Sequence, residues 1–174
     1  MLLATAAPAW ADDEAQFQQG LAAYNAKNYN RALFLWEPLA EKGYADVQYN
    51  LGMMYDVVAQ KYQQAFAWYQ KAANQGYAKA QYELGDMYYH GKGVANNYQQ
   101  AFVWYQKAAN QGNFDAQFSL GSMYYHGKGV AQNYQQAKAW YQKALAHPDA
   151  SDLVSVAKSA ITLNLRRLEL MGVR

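Results

Sequence analysis

Apolar residues recur along this chain at helical spacing, in paired segments that glycines interrupt. In the stretch from Ala80 to Gly112, the residues Ala80, Leu84, Met87 and Tyr88 stand at offsets of four, seven and eight. That spacing puts them on one face of a helix. Gly91 and Gly93 end it, and both suit the left-handed backbone that closes a helix and keeps a turn tight. Ala101, Tyr105, Ala108 and Ala109 then line one face of a second helix, which stops at Gly112. The stretch predicts a helical hairpin. A single hairpin cannot bury its own apolar stripe, so neighbouring copies must stack.

The copies are present. MYYHGKGVA occurs at Met87 and Met123, WYQKAANQG at Trp68 and Trp104, and YQQA at Tyr62, Tyr98 and Tyr134. Trp68, Trp104 and Trp140 are 36 residues apart, a period that marks a repeat array. Units are expected over residues 45–76, 79–112 and 115–146. In the first of these a six-residue loop, DVVAQK, replaces the nine-residue YHGKGVANN. Gly52, Gly85 and Gly121 recur at one position, where a missing side chain lets the paired helix approach. An earlier hairpin occupies residues 12–43. Phe17, Leu21 and Tyr24 face inward on a helix over 14–26, and Tyr29, Ala32, Leu33, Trp36 and Leu39 on one over 28–41. Pro38 is expected to kink or shorten that second helix. After His147-Pro148 the repeat stops. Leu153, Val156, Ala157, Ala160, Ile161, Leu163, Asn164 and Leu168 predict a capping helix within 149–172, followed by basic residues that suit a helix C-terminus.

The pattern A-x-x-x-L-G-x-M-Y-x-x-G-x-G-V, followed by Y-x-x-A-x-x-W-Y-x-K-A-A-x-x-G, resembles the Sel1-like repeats. Ala80–Gly112 and Ala116–Ala144 carry it in full, and Ala45–Gly76 carries it with the shorter loop. The first hairpin looks more like a plain tetratricopeptide unit. The resemblance implies an all-α fold, a right-handed α-solenoid of about four stacked hairpins with a C-terminal capping helix. It also implies protein–protein contact without chemistry.

Composition narrows the functional classes. The chain has 174 residues and a formal charge of +2, which does not point to nucleic acid or an anionic membrane as partner. No apolar run is long enough to span a bilayer. Residues 1–11 end in Ala9-Trp10-Ala11, a small-x-small pattern before Asp12 and Asp13, and read as the remnant of a signal peptide without its basic start. A periplasmic or secreted bacterial protein is expected. The absence of cysteine excludes disulfides, thiolate metal ligands and a thiol nucleophile.

Candidate chemistry is sparse, and no cofactor, metal or catalytic group is expected. Ser155-x-x-Lys158 matches the nucleophile box of penicillin-binding enzymes without its S-D-N and K-T-G partners. His90 and His126 are equivalent loop positions with no acidic residue or cysteine at ligand spacing. Gly91-Lys92-Gly93 lacks the spacing of a phosphate loop. The stronger signal is a second stripe on the first helices, opposite the core face. It holds Lys79, Tyr82, Asp86 and Tyr89 in one unit and Asp115, Phe118, Ser122 and Tyr125 in the next, with Tyr49 preceding them. If the stripe lines the concave side, Tyr82, Tyr89, Phe118 and Tyr125 would anchor a protein or peptide, and Lys79, Asp86 and Asp115 would set its register. Alternatively the aromatics pack between adjacent first helices. Two other functions stay open, an enzyme acting on cell-wall or β-lactam material through Ser155 and Lys158, and an assembly factor that works through its ends.

Overall fold

The computed structural model describes residues 9–146 and 155–173. They form helices in hairpin pairs: α1 (Ala9–Asn25) with α2 (Tyr29–Glu41), α3 (Ala45–Met53) with α4 (Tyr62–Asn74), α5 (Ala78–His90) with α6 (Tyr98–Asn110), and α7 (Phe114–His126) with α8 (Tyr134–Leu145). A last helix, α9 (Ser155–Leu170), packs against α8. No strand occurs among the described residues. Each helix touches chiefly its neighbours in sequence, so the fold is a right-handed α-solenoid. The signal-peptide segment falls largely outside the described residues, with Ala9–Ala11 opening α1. His147-Pro148 and the start of the cap, 149–154, also lie outside them.

The core is a string of clusters, each shared by successive units. Leu84 and Met87 of α5 pack with Tyr69 and Ala72 of α4, and Leu120 and Met123 of α7 pack with Tyr105 and Ala108 of α6. Alanines on the second helices let these elements approach. Trp104 and Trp140 reach back into the cluster of the preceding unit, and Trp68 packs beside the first. On its outer side each tryptophan is covered by a lysine one turn along, with Lys71, Lys107 and Lys143 Nζ at 4.0, 3.9 and 4.3 Å from the ring centroids.

A buried glutamine joins successive units. Gln48, Gln81 and Gln117 donate from Nε2 to the carbonyls of Ala40, Ala73 and Ala109, at 2.9, 3.2 and 3.3 Å. Those carbonyls lie in the last turn of the preceding helix, where each also accepts from the backbone N–H of Gly43, Gly76 or Gly112 just beyond it. Gln75 and Gln111 complete the link by donating to the Oε1 atoms of Gln48 and Gln81 at 2.8 and 2.7 Å. Gln117 Oε1 has no donor among the described residues. In the repeat, the place of Gln75 and Gln111 falls to His147, outside them.

Four local expectations change. Pro38 sits inside α2, which continues to Glu41. Pro38 and Phe34, the residue whose carbonyl it deprives, are both exposed, so water takes the lost bond. The loop of unit two is partly helical, because Met54–Val58 form a π-helical turn that extends α3. No glycine stands at Val58, the position equivalent to Gly91, so no left-handed stop ends the helix there, and the chain leaves through Gln60 at φ 52°. The first helix begins at Ala9, well before Glu14. In α9, Ile161 and Leu168 are buried as expected while Leu163 is exposed, and Leu165 packs in its stead.

Asparagine starts the second helices of the later units. Asn97 Oδ1 accepts from Gln100 N at 3.0 Å, and Asn133 repeats the bond to Gln136 N at 3.0 Å. Asn97→Ala is expected to lower stability by about 1 kcal/mol, read as a lower urea midpoint at unchanged slope.

Candidate functional site

The second stripe is not a free face. Tyr49, Tyr82 and Phe118 are each half-buried against the buried tyrosine of their own unit's second helix, with ring centroids 5.8, 5.7 and 5.8 Å from Tyr69, Tyr105 and Tyr141. The glycines explain the contact. An added Cβ at Gly52, Gly85 or Gly121 would come within 2.5, 2.7 and 2.6 Å of those same three rings. Each second-helix tyrosine therefore passes over a glycine and reaches the stripe. Tyr82 also packs against the cluster that includes Ala116 and Leu120 of the next first helix. Tyr49 meets the next unit through Tyr77 at 5.4 Å.

Two further residues of the stripe are engaged locally. The Tyr105 hydroxyl donates to Asp86 Oδ1 at 3.5 Å, and the same oxygen lies 3.3 Å from His90 Nε2. His90 thus has an acidic neighbour one turn back, which loop spacing alone does not suggest. Tyr89 packs edge-on to Tyr98 at 5.1 Å, and its hydroxyl accepts from Lys128 Nζ at 3.1 Å.

Of the nine stripe residues, Asp86, Tyr89, Phe118 and Ser122 meet. With His90, Tyr105 and Ser119 they line a cleft of about 160 Å³ between α5 and α7. Lys79 stands exposed at the start of α5. Asp115 is exposed at the start of α7, with its carboxyl held above the usual range by partial desolvation. Tyr125 turns to Tyr134 at 5.5 Å, and Tyr49 lies below Tyr77. A larger hollow of about 380 Å³ lies in the first unit, between Asp13, Phe17, Leu39, Tyr44 and Val47, and contains none of the stripe.

Sequence reasoning missed Glu83. It is half-buried, and its carboxyl is pushed up to about 7, first by burial and then by Asp86, Asp56 and Asp115. Its place next to Tyr82, one turn from Lys79, was the available signal. Lys158 is exposed on α9, and the Ser155 side chain lies outside those described. No cluster of three or more histidine or acidic side chains among the described residues could hold a metal.

The Sel1 repeat profile matches residues 17–44, 45–77, 78–113 and 114–149, nearly the whole described solenoid. The chain belongs to the Sel1 repeat family. Among solved Sel1-type structures, it is similar to c5321, a protective antigen of uropathogenic Escherichia coli with this fold, at 31% identity and a TM-score of 0.73 over 90% of this chain and 37% of that one. A Sel1 repeat protein of Oxalobacter formigenes is 33% identical with a TM-score of 0.73, over 84% of this chain and 60% of its own. Cysteine-rich protein B of Helicobacter pylori is 28% identical with a TM-score of 0.55, over 74% and 96%. The chain spans less than two thirds of the first two relatives. No curated protein matches it. Sel1 solenoids generally serve as protein-interaction modules. No helix among the described residues is long and apolar enough to cross a membrane.

Proposed function

We propose that this Sel1 repeat chain is an exported, non-catalytic module that holds a protein or an extended peptide along the concave face formed by its first helices. The observation that carries the reading is the convergence of Asp86, Tyr89, Phe118 and Ser122 from two successive units on one cleft. Aromatic rings held rigidly by second-helix tyrosines give contact area at low entropic cost, and the polar groups beside them orient a chain. Export is supported by the small-x-small pattern before Asp12, and by a bacterial relative that is a protective antigen.

The test is site-specific photocrosslinking in a Gram-negative host. A benzophenone side chain at Phe118 or Ser122 is expected to yield a defined adduct in the periplasmic fraction, and one at exposed Gln135 on α8 is not. Adducts only from Leu163 on α9 would transfer the function to the end of the solenoid. Adducts confined to the cytoplasm would reject export.

A further inference from the structure

The first unit breaks the repeat at one position. Ala45 and Ala78 stand seven residues before Gly52 and Gly85, and Asp13 stands seven before Gly20. Gly20 is the equivalent glycine of α1, because a Cβ there would meet the Trp36 ring as one at Gly52 would meet Tyr69.

The change acts on a tyrosine. Tyr44 and Tyr77 precede α3 and α5 with nearly the same backbone, φ −64° and −67° and ψ 112° and 109°. Tyr77 turns inward, lies 5.4 Å from Tyr49, and packs on the cluster of Tyr69, Ala72 and Ala80. Tyr44 turns the other way. Its hydroxyl donates to Asp13 Oδ2 at 2.8 Å, it is 40% exposed, and it takes no part in the cluster of its own unit. Phe17, the counterpart of Tyr49, meets Trp36 instead, at 6.2 Å.

The result is the hollow of about 380 Å³ beside Asp13 and Tyr44. Where the next unit holds a tyrosine ring, the first holds a space. Its floor is apolar, made by Phe17 with the buried Leu39 and Val47. Small-molecule sites span about 300–1,000 Å³, and the hollow falls in that range.

The rim decides the charge of an occupant. Asp13 and Glu14 border the hollow from α1, and Asp46 from α3. Asp13 is paired with Lys42 Nζ. Glu14 and Asp46 form no ion pair among the described residues. Glu14 Oε1 accepts from Gln18 Nε2 at 2.8 Å, and Asp46 Oδ1 from the Val47 N–H at 2.9 Å. A carboxylate at the edge of an apolar space suits an organic ammonium, whose stem stays on the floor while its head pairs.

We propose that Asp13 holds this hollow open as a binding site for a small arylalkylamine. The ring takes the place that Tyr77 fills in the next unit and lies against Phe17, and the ammonium reaches Glu14 and Asp46. The site is separate from the cleft between α5 and α7 and does not depend on it.

The test is a titration of the isotope-labelled full chain with phenethylamine, followed by amide NMR. Saturable shifts are expected at Phe17, Tyr44 and Val47 and not at Phe118. Phenethyl alcohol, which keeps the ring without the charge, and butylamine, which keeps the charge without the ring, should each bind at least about tenfold more weakly. Tyr44→Phe removes the hydroxyl that Asp13 holds and frees the ring to turn inward as Tyr77 does, so it should lose at least about tenfold. Glu14→Gln with Asp46→Asn, both exposed positions, should lose as much for the amine and nothing for the alcohol. Equal binding of amine and alcohol overturns the cationic assignment, and equal binding of butylamine overturns the aromatic one. Unchanged affinity in Tyr44→Phe overturns the role of Asp13. A folded parent with no saturable shift overturns the site altogether.

Discussion

Gly129→Ala is expected to destabilise the solenoid by about 3 kcal/mol or more, whereas Gly112→Ala should cost only about 1–2 kcal/mol. Both glycines have positive φ, +71° and +89°, so alanine meets the left-handed backbone penalty at either site. What differs is the surroundings. A Cβ at Gly112 would find nothing within 4 Å, but at Gly129 it would stand 2.3 Å from the Tyr98 carbonyl oxygen and 2.5 Å from its carbon. Those are backbone atoms of the first turn of α6, and they cannot turn aside as the end of a side chain can. The loop after α7 thus rests directly on the preceding unit, and the clash would push two units apart. Gly93 makes the same approach to the Tyr62 carbonyl oxygen at 2.4 Å, so its alanine variant should behave like Gly129→Ala. Urea unfolding of the three variants checks this. Equal midpoint shifts for Gly112→Ala and Gly129→Ala would mean that backbone conformation alone sets the cost and that the loop does not join the units.

Those glycines show why the repeat was legible from sequence. Gly91, Gly93 and Gly112 stop apolar stripes, and their φ angles of 71°, 68° and 89° are the left-handed values such stops require. Ala80, Leu84 and Met87 recur at helical spacing because one face must be dry, and all three are buried. Pattern reading carries that far because local geometry and burial demand the same residues. It fails where a partner lies in another helix. Tyr82 reads as a position the core does not need, yet Tyr105 crosses Gly85 to meet it. Glycine in a helix signals close approach, but not which ring approaches. The π-helical turn at Met54–Val58 was likewise hidden, since a loop with no glycine shows no sign of whether the helix before it stops or widens. Glu83 was overlooked because a charged residue at a helical position reads as solvated surface. Its neighbours Asp56 and Asp115 are distant in sequence and become close only when the units stack.

The same carboxylate gives the second large effect. Glu83→Gln is expected to make the protein more stable at pH 8, by roughly 2–3 kcal/mol, and to leave it unchanged near pH 4. In the folded chain the Glu83 carboxyl is raised from 4.5 to about 7, by burial above all and then by Asp86, Asp56 and Asp115, against the partial relief of Lys92. Between those two values the folded state holds the proton more tightly than the unfolded state. Stability therefore falls as pH rises from about 4.5 to about 7, and the whole penalty persists above that. Glutamine keeps the shape and removes the ionisation, so the gap between variant and parent should open across this window and then level off. Urea unfolding at pH 4.5, 6 and 8 measures the gap, and parallel pH curves for the two proteins would reject the assignment.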